Sequence, residues 1–351
     1  MGVIEKSIER KVELKNCNFV KSILMILIVL YHSILYWKGD WFIGEPVFEA
    51  ISLNIVADWL NSFHIYGFVL VSGYIFYYIK YENERYQKFQ SFVINKVKRL
   101  IVPYIFVSII WVIPISGYFF NYDTQDIINN YLLGKSPGQL WFLLMLFWVF
   151  LIVWIMSNYL QKSNTISIFL AIGFYGLGIV AMRFIPNIFM ILQAFSFIPV
   201  FIIGFKIRQY GSGIVKNVPI LGWVIIDIGL FFIYEYINIS NNEGLIWTII
   251  NLGITFVLHT VGAIMIFVVL QKIANYIQWE KKPFIYISES SMGVYLFHQQ
   301  IVYVFIYWVN GRINPYLNAF VNFIGAMLIS LIITFILRKF RVTRILLGEK
   351  S

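Results

Sequence analysis

Apolar residues fall along the chain in blocks of about twenty, separated by short polar stretches. Neither strict alternation nor a one-faced 3.6-residue period organises these blocks. A block of that length crosses a bilayer as a helix, and in lipid a helix satisfies every backbone donor and acceptor within itself. Ile, Phe and Tyr dominate the blocks and would favour strands in water, but strands do not run to twenty residues, and lipid overrides that propensity. Ten spans are expected, near residues 18–37, 54–79, 101–120, 138–158, 165–183, 188–207, 219–238, 246–270, 284–309 and 316–337. Pro186 and Asn187 mark the cut between the fifth and sixth. The expected fold class is all-α: a polytopic bundle of about ten transmembrane helices, read as one membrane-integral domain over residues 1–351.

Charge orients the bundle. With the N-terminus placed in the cytoplasm, 23 Lys and Arg fall in inside segments and 4 (Lys38, Lys135, Arg183 and Arg312) in outside segments. One missed span would invert every later loop and destroy this asymmetry, so the count also supports an even number of spans and two cytoplasmic termini. The first apolar run lacks a small-x-small cleavage site and is expected to stay as the first span.

Composition agrees with a membrane class. The chain is 60% hydrophobic and 13% charged, against about 45–50% and 25% in soluble domains. The net charge of +10 does not point to nucleic acid, because the cations cluster in the short inside segments that set topology. Cys17 is the single cysteine, so an internal disulfide is excluded. No loop is long enough for a separate catalytic domain; any chemistry belongs to the bundle or its two mouths.

All four histidines, His32, His64, His259 and His298, fall in or at the edge of predicted spans, with His32 and His64 toward the outer half. An ionisable group inside a span costs roughly 2.5–3.5 kcal/mol on insertion scales, so each needs a reason. One such histidine is ordinarily a satisfied interhelical hydrogen bond, whereas four together point to a polar cavity. No metal site is expected, because no two of them share an i, i+4 face. Lys96, Lys98 and Arg99 stand just before Leu100 to Tyr104 at the inner mouth of the third span. Such a cluster either anchors to anionic headgroups or receives a phosphorylated cytoplasmic ligand.

Several short stretches, taken in order, resemble one family. Lys21 and His32 bracket SILMILIVLY in the first span. His64 is followed by IYGFVLV and Ser72-Gly73-Tyr74 in the second. Lys96, Arg99 and Pro103-Tyr104 open the third, and Leu140-Trp141-Phe142-Leu143 the fourth. Phe197 leads IPVFIIGF in the sixth, and Ser291, Tyr295 and His298 mark the ninth. Their order and placement resemble the acyltransferase-3 family of membrane-integral acyltransferases along nearly the whole chain. Lysine replaces the family's arginine at Lys21 and Lys96, and lysine cannot grip phosphate in a two-point fork.

That resemblance implies transfer of an acyl group, usually acetyl, from cytoplasmic acyl-CoA to a hydroxyl of a cell-surface polysaccharide or its precursor. It implies acetyl-CoA as donor substrate, a sugar acceptor, lipid around the bundle and a multi-pass place in a bacterial plasma membrane. Capsular or exopolysaccharide sugar is the first expectation for the acceptor, and acetyl and succinyl both stay open for the acyl group. The family's essential histidine maps to His32, its first-span cation to Lys21 and its basic pair to Lys96 and Arg99, with Lys98 as a further phosphate contact. His32 is then the general base, its unperturbed pKa near 6.5 suiting the task. His298, His64 and Ser72 would orient His32, line the acceptor pocket or stabilise the oxyanion, and an acyl-histidine intermediate stays open. From Lys21 to His32 is about 16 Å of helix, within reach of an extended pantetheine arm. The alternative is a polytopic transporter or flippase of a saccharide or small metabolite, although no inverted repeat or paired broken spans mark a midplane site.

Overall fold

A computed structural model of the chain describes residues 3–39, 41–211, 218–240 and 244–349; Lys216 and Lys350, counted above among the inside cations, lie outside the described residues. Among the described residues there is no strand, and ten helices are long and apolar enough to cross a membrane. They are α1 (Arg10–Lys38), α2 (Ile51–Glu82), α3 (Phe89–Phe120), α4 (Gly138–Lys162), α5 (Asn164–Met182), α6 (Ile188–Tyr210), α7 (Ile220–Ile239), α8 (Leu245–Tyr276), α9 (Lys282–Val309) and α10 (Pro315–Arg338). A short helix α11 (Arg341–Leu346) follows. The protein is an all-α polytopic membrane protein. Because ten crossings return the chain to the side where it began, the start of α1 and the end of α10 lie at one face, called here the basic face after its surplus of Lys and Arg.

The centre is built from α1, α2, α6 and α9. Helix α1 packs against α2, α8, α9 and α10, while α2 packs against α6 and α8. Helices α5 and α7 sit at the periphery, with most of their side chains facing outward. Lipid tails are as apolar as leucine, so helices in a bilayer associate through close packing and internal polar contacts. The α2–α6 crossing is such a contact. A Cβ at Gly73 would collide with the Phe201 carbonyl, and one at Gly204 with the Leu70 carbonyl, so the two backbones meet only because both positions are glycine.

Polar contacts lock the basic face. The Tyr74 hydroxyl donates to Glu13 (2.6 Å) and accepts from Arg208 (3.0 Å). Arg208 also holds Glu82 through two hydrogen bonds of 2.8 and 2.6 Å and donates to the Arg10 carbonyl at 2.9 Å. Gln271 donates to the Glu13 carbonyl at 2.9 Å, so α1, α2, α6 and α8 are tied at one level. The Ser72-Gly73-Tyr74 stretch thus holds two structural roles, a helix crossing and an anchor.

Helix α3 starts at Phe89, a dozen residues before the expected 101. Three cations within four residues lower the hydropathy there, but the helix continues through them toward the basic face. It is not uniform: wide i→i+5 turns occupy Val97–Ile101 and Ser108–Val112, each just before a proline, Pro103 and Pro114. Proline lacks the N–H that would bond four residues back, so Pro103 leaves the Arg99 carbonyl without its helical partner. The segment after α11 packs at that spot. Gly348, at φ 77°, lies so close that a Cβ would stand 2.8 Å from the Arg99 carbonyl oxygen and 2.8 Å from Pro103.

Candidate active site

Helices α1, α2 and α9 bring three of the four histidines into one region, each with its Nδ1 against a carbonyl of its own helix. His32 Nδ1 lies 3.1 Å from the Ile28 carbonyl and His64 Nδ1 2.5 Å from that of Leu60. His298 Nδ1 lies 3.1 Å from that of Val294 and 2.8 Å from that of Tyr295. In each case the ring folds back onto its own helix, and Nε2 is left to face elsewhere.

Proton positions follow from these contacts. Carbonyls only accept, so Nδ1 of His298 carries a proton, and in the neutral ring its Nε2 is a lone pair. That Nε2 stands 3.0 Å from Nδ1 of His32. Both neighbours of His32 Nδ1, the Ile28 carbonyl and His298 Nε2, are therefore acceptors, and Nδ1 of His32 carries the proton. Nε2 of His32 is left with a free lone pair. The pair is an imidazole dyad: the Ile28 carbonyl sets the tautomer of a partly exposed His32, and His298, fully buried, adds a second acceptor that helps to hold its ring.

The other two histidines stand differently. The His64 ring lies 4.8 Å from that of Tyr31, whose ring is 5.1 Å from His32, so it borders the dyad through an aromatic. His259 is apart from them, stacked on Tyr66 at 4.0 Å, which in turn stacks on Phe197 at 4.7 Å.

Behind His298 a polar lattice joins α9 to the start of α4. Gln139 and Gln300 exchange two amide hydrogen bonds of 2.6 and 3.1 Å, Gln139 also donates to the Leu296 carbonyl, and the Tyr295 hydroxyl donates to the Gln139 carbonyl. Trp111 donates to the Phe297 carbonyl at 3.1 Å, which brings α3 against the same turn. Satisfied buried networks of this kind hold a ring in one orientation.

A cavity of about 380 Å³ lies between the dyad and the basic face. At its basic end Lys21, Lys96, Arg99, Ser288 and Glu289 form the wall, and Leu347, Gly348 and Glu349 close it from below. Its deep end is bounded by Ile28, Phe68, Phe142 and Tyr295. Ile28 and Tyr295 are the residues whose carbonyls hold His32 and His298, so the cavity stops one helical turn short of the dyad. The rings of Phe68 and Phe142 are 6.0 Å apart, as are those of Phe142 and Tyr295, and together they form the constriction between cavity and imidazoles.

Three of the four cations singled out in the sequence converge on this cavity. Lys21 is half-buried and Arg99 exposed. Lys96 is only 7% exposed, and its ammonium rests on the Phe150 ring at 3.3 Å. The exposed Lys98 is not part of the wall. Ser72 lines the cavity with its hydroxyl donated to the Phe68 carbonyl at 2.9 Å. Two carboxylates share the wall, and both pair with Arg338: Glu289 at 3.6 Å and Glu349 at 2.9 Å. Among the described residues, no three His, Cys, Asp or Glu side chains form a group that could hold a metal ion.

Sequence reasoning did not find Glu349, Gln139, Gln300 or the aromatic constriction. Each is an ordinary residue locally and gains its place only through packing. Gln299 and Gln300 beside His298 in an apolar helix were a usable signal, since amides in a span need partners.

The family model described as an acyltransferase domain (Acyl_transf_3) matches residues 14–339, from within α1 to just past α10. Comparison with curated proteins and comparison with solved structures each found no match.

Proposed function

The chain belongs to the acyltransferase-3 family of membrane acyltransferases, and on that premise we propose that it moves an acyl group, acetyl in the first instance, from cytoplasmic acyl-CoA to a hydroxyl of a cell-surface polysaccharide or its precursor. The setting is the plasma membrane of a bacterium, with the basic face in the cytoplasm. The observation that carries the reading is the 3.0 Å contact between His298 and His32, which leaves the lone pair of His32 Nε2 free to accept a proton.

The donor fits the cavity by chemistry. The apolar wall suits a pantetheine arm and thioester, and Lys21, Lys96 and Arg99 suit phosphates at the basic end. A sugar hydroxyl is a poor nucleophile while it keeps its proton. His32 Nε2 takes that proton as the hydroxyl oxygen bonds to the acyl carbon. The carbon–sulfur bond then breaks, and His32 returns the proton to the departing sulfur, so no net proton is gained or lost. While His32 is charged, its Nδ1–H strengthens its bonds to His298 Nε2 and the Ile28 carbonyl. Passage of the thioester to the imidazole, about one helical turn beyond the cavity, needs the Phe68, Phe142 and Tyr295 side chains to move aside.

The test is His32→Ala. Purified protein given acetyl-CoA and unacetylated polymer from cells lacking the gene should lose thiol release by about 10²–10⁴-fold, the usual worth of a positioned base, while still inserting and folding. Retained activity would end the proposal.

A further inference from the structure

We propose that Trp41, in the loop that follows α1, is the platform on which the ring of the acceptor sugar stacks. The inference rests on the acyl-transfer reading above and adds where its acceptor sits.

The indole is placed for that task. Its ring centroid lies 5.8 Å from that of His32, at an interplanar angle of 30°. Cavity and indole approach the dyad from opposite directions: the cavity ends one turn toward the basic face, whereas Trp41 follows the far end of α1. A donor rising through the cavity and an acceptor resting on Trp41 would therefore meet at His32 from two sides.

Trp41 is not a stray loop residue. Phe42 beside it is buried and stacks in parallel on Tyr303 at 4.7 Å, while Tyr303 meets Trp41 at 5.0 Å. Asn310, in the turn after α9, donates to the Tyr36 hydroxyl at 2.8 Å and the Glu45 carbonyl at 3.2 Å. It also accepts from the Val47 N–H at 3.3 Å. These bonds staple residues 41–50 across the end of the bundle. Trp41 itself is left half-buried.

A half-buried indole beside a base selects a particular chemistry. One face of a pyranose is a set of C–H groups, apolar and slightly positive, which suits the electron-rich face of an indole, while the ring hydroxyls point sideways. Stacking on Trp41 would hold such a ring with a hydroxyl edge toward His32 Nε2.

The experiment is steady-state kinetics of the full-length protein in nanodiscs, varying acetyl-CoA and the unacetylated polymer independently, for wild type, Trp41→Ala and Trp41→Phe. Trp41→Ala should raise the KM for polymer about tenfold, the scale of one lost aromatic contact, with the KM for acetyl-CoA within about twofold of wild type. Trp41→Phe should recover most of that loss. An unmoved polymer KM in Trp41→Ala, or a fall in kcat alone, would overturn the inference and make Trp41 a prop for the His32 ring. If Trp41→Ala fails to fold, a Trp41→Phe protein with a polymer KM raised less than its kcat is lowered overturns it equally. Absence of thiol release by the wild type would sink the acyl-transfer reading itself and this inference with it; active wild type with an unmoved polymer KM sinks this inference alone.

Discussion

Removing the His298 ring tests the dyad without touching the proposed base. In His298→Ala, His32 Nδ1–H keeps the Ile28 carbonyl at 3.1 Å, so its tautomer survives, but it loses the acceptor at 3.0 Å. That acceptor matters most when His32 is charged, as it would be near the transition state. A hydrogen bond to a charged group is worth about 1.5–3 kcal/mol, which converts to a drop in kcat of roughly 10- to 150-fold with little change in either KM. His298→Gln is the sharper variant, because the glutamine Oε1 falls close to the position of the imidazole Nε2 and accepts a hydrogen bond there. It should recover most of the lost rate. The assay is thiol release from acetyl-CoA under saturating acceptor, with thermal stability followed in parallel, because His298 is fully buried and its truncation opens a void. Wild-type kcat in His298→Ala would refute the dyad. So would a His298→Gln protein that is stable yet as slow as His298→Ala, since that would show the acceptor at Nε2 to be irrelevant.

Two further outcomes test other parts of the argument. Lys96→Ala combined with Arg99→Ala should raise the KM for acetyl-CoA by about 10- to 100-fold, on the scale of a lost charge-assisted contact, whereas Lys98→Ala should leave it within about twofold; equal effects of all three would favour a simple lipid anchor. Gly73→Ala forces a Cβ against the Phe201 carbonyl, and overpacking of about 1–3 kcal/mol should appear as a lower melting temperature of the solubilised protein, with unchanged melting refuting the α2–α6 contact.

The spans were readable from sequence because a bilayer imposes a length, and length survives without any knowledge of neighbours. Nine of the ten expected starts lie within eight residues of the observed ones, whereas α3 begins at Phe89 and not near 101. Hydropathy fails there because Lys96 and Arg99 count as loop residues, yet Lys96 sits inside the protein on the Phe150 ring. Conversion of basic side chains from loop signal to cavity wall is a tertiary event. His32 and His298 were each visible as buried imidazoles, but 266 residues separate them, and periodicity within one helix cannot say which face meets which neighbour. The family resemblance marked both residues; only the packed bundle supplies their contact and therefore the proton positions. His259 carried the same sequence signal and stacks on Tyr66 away from the dyad. An ionisable residue in a span is thus a reason to look, and its partner decides what it does.

The same packing explains why a reaction of this kind would sit where it does. A thioester is made in water and a surface glycan lies across the membrane, so neither reactant needs to cross if the base stands at the barrier between two half-channels. On the proposed reading the cavity that ends at Ile28 and Tyr295 would serve one reactant, and the side of His32 that borders Trp41 the other. The rings of Phe68, Phe142 and Tyr295 stand between that cavity and the imidazoles. Burial of His298 also has a consequence for chemistry, because a hydrogen bond shielded from water is held more strongly than a wet one. The transporter alternative would require the constriction to pass a whole sugar. On the proposed reading the constriction has to pass only an extended thiol arm, a smaller demand on the same three side chains.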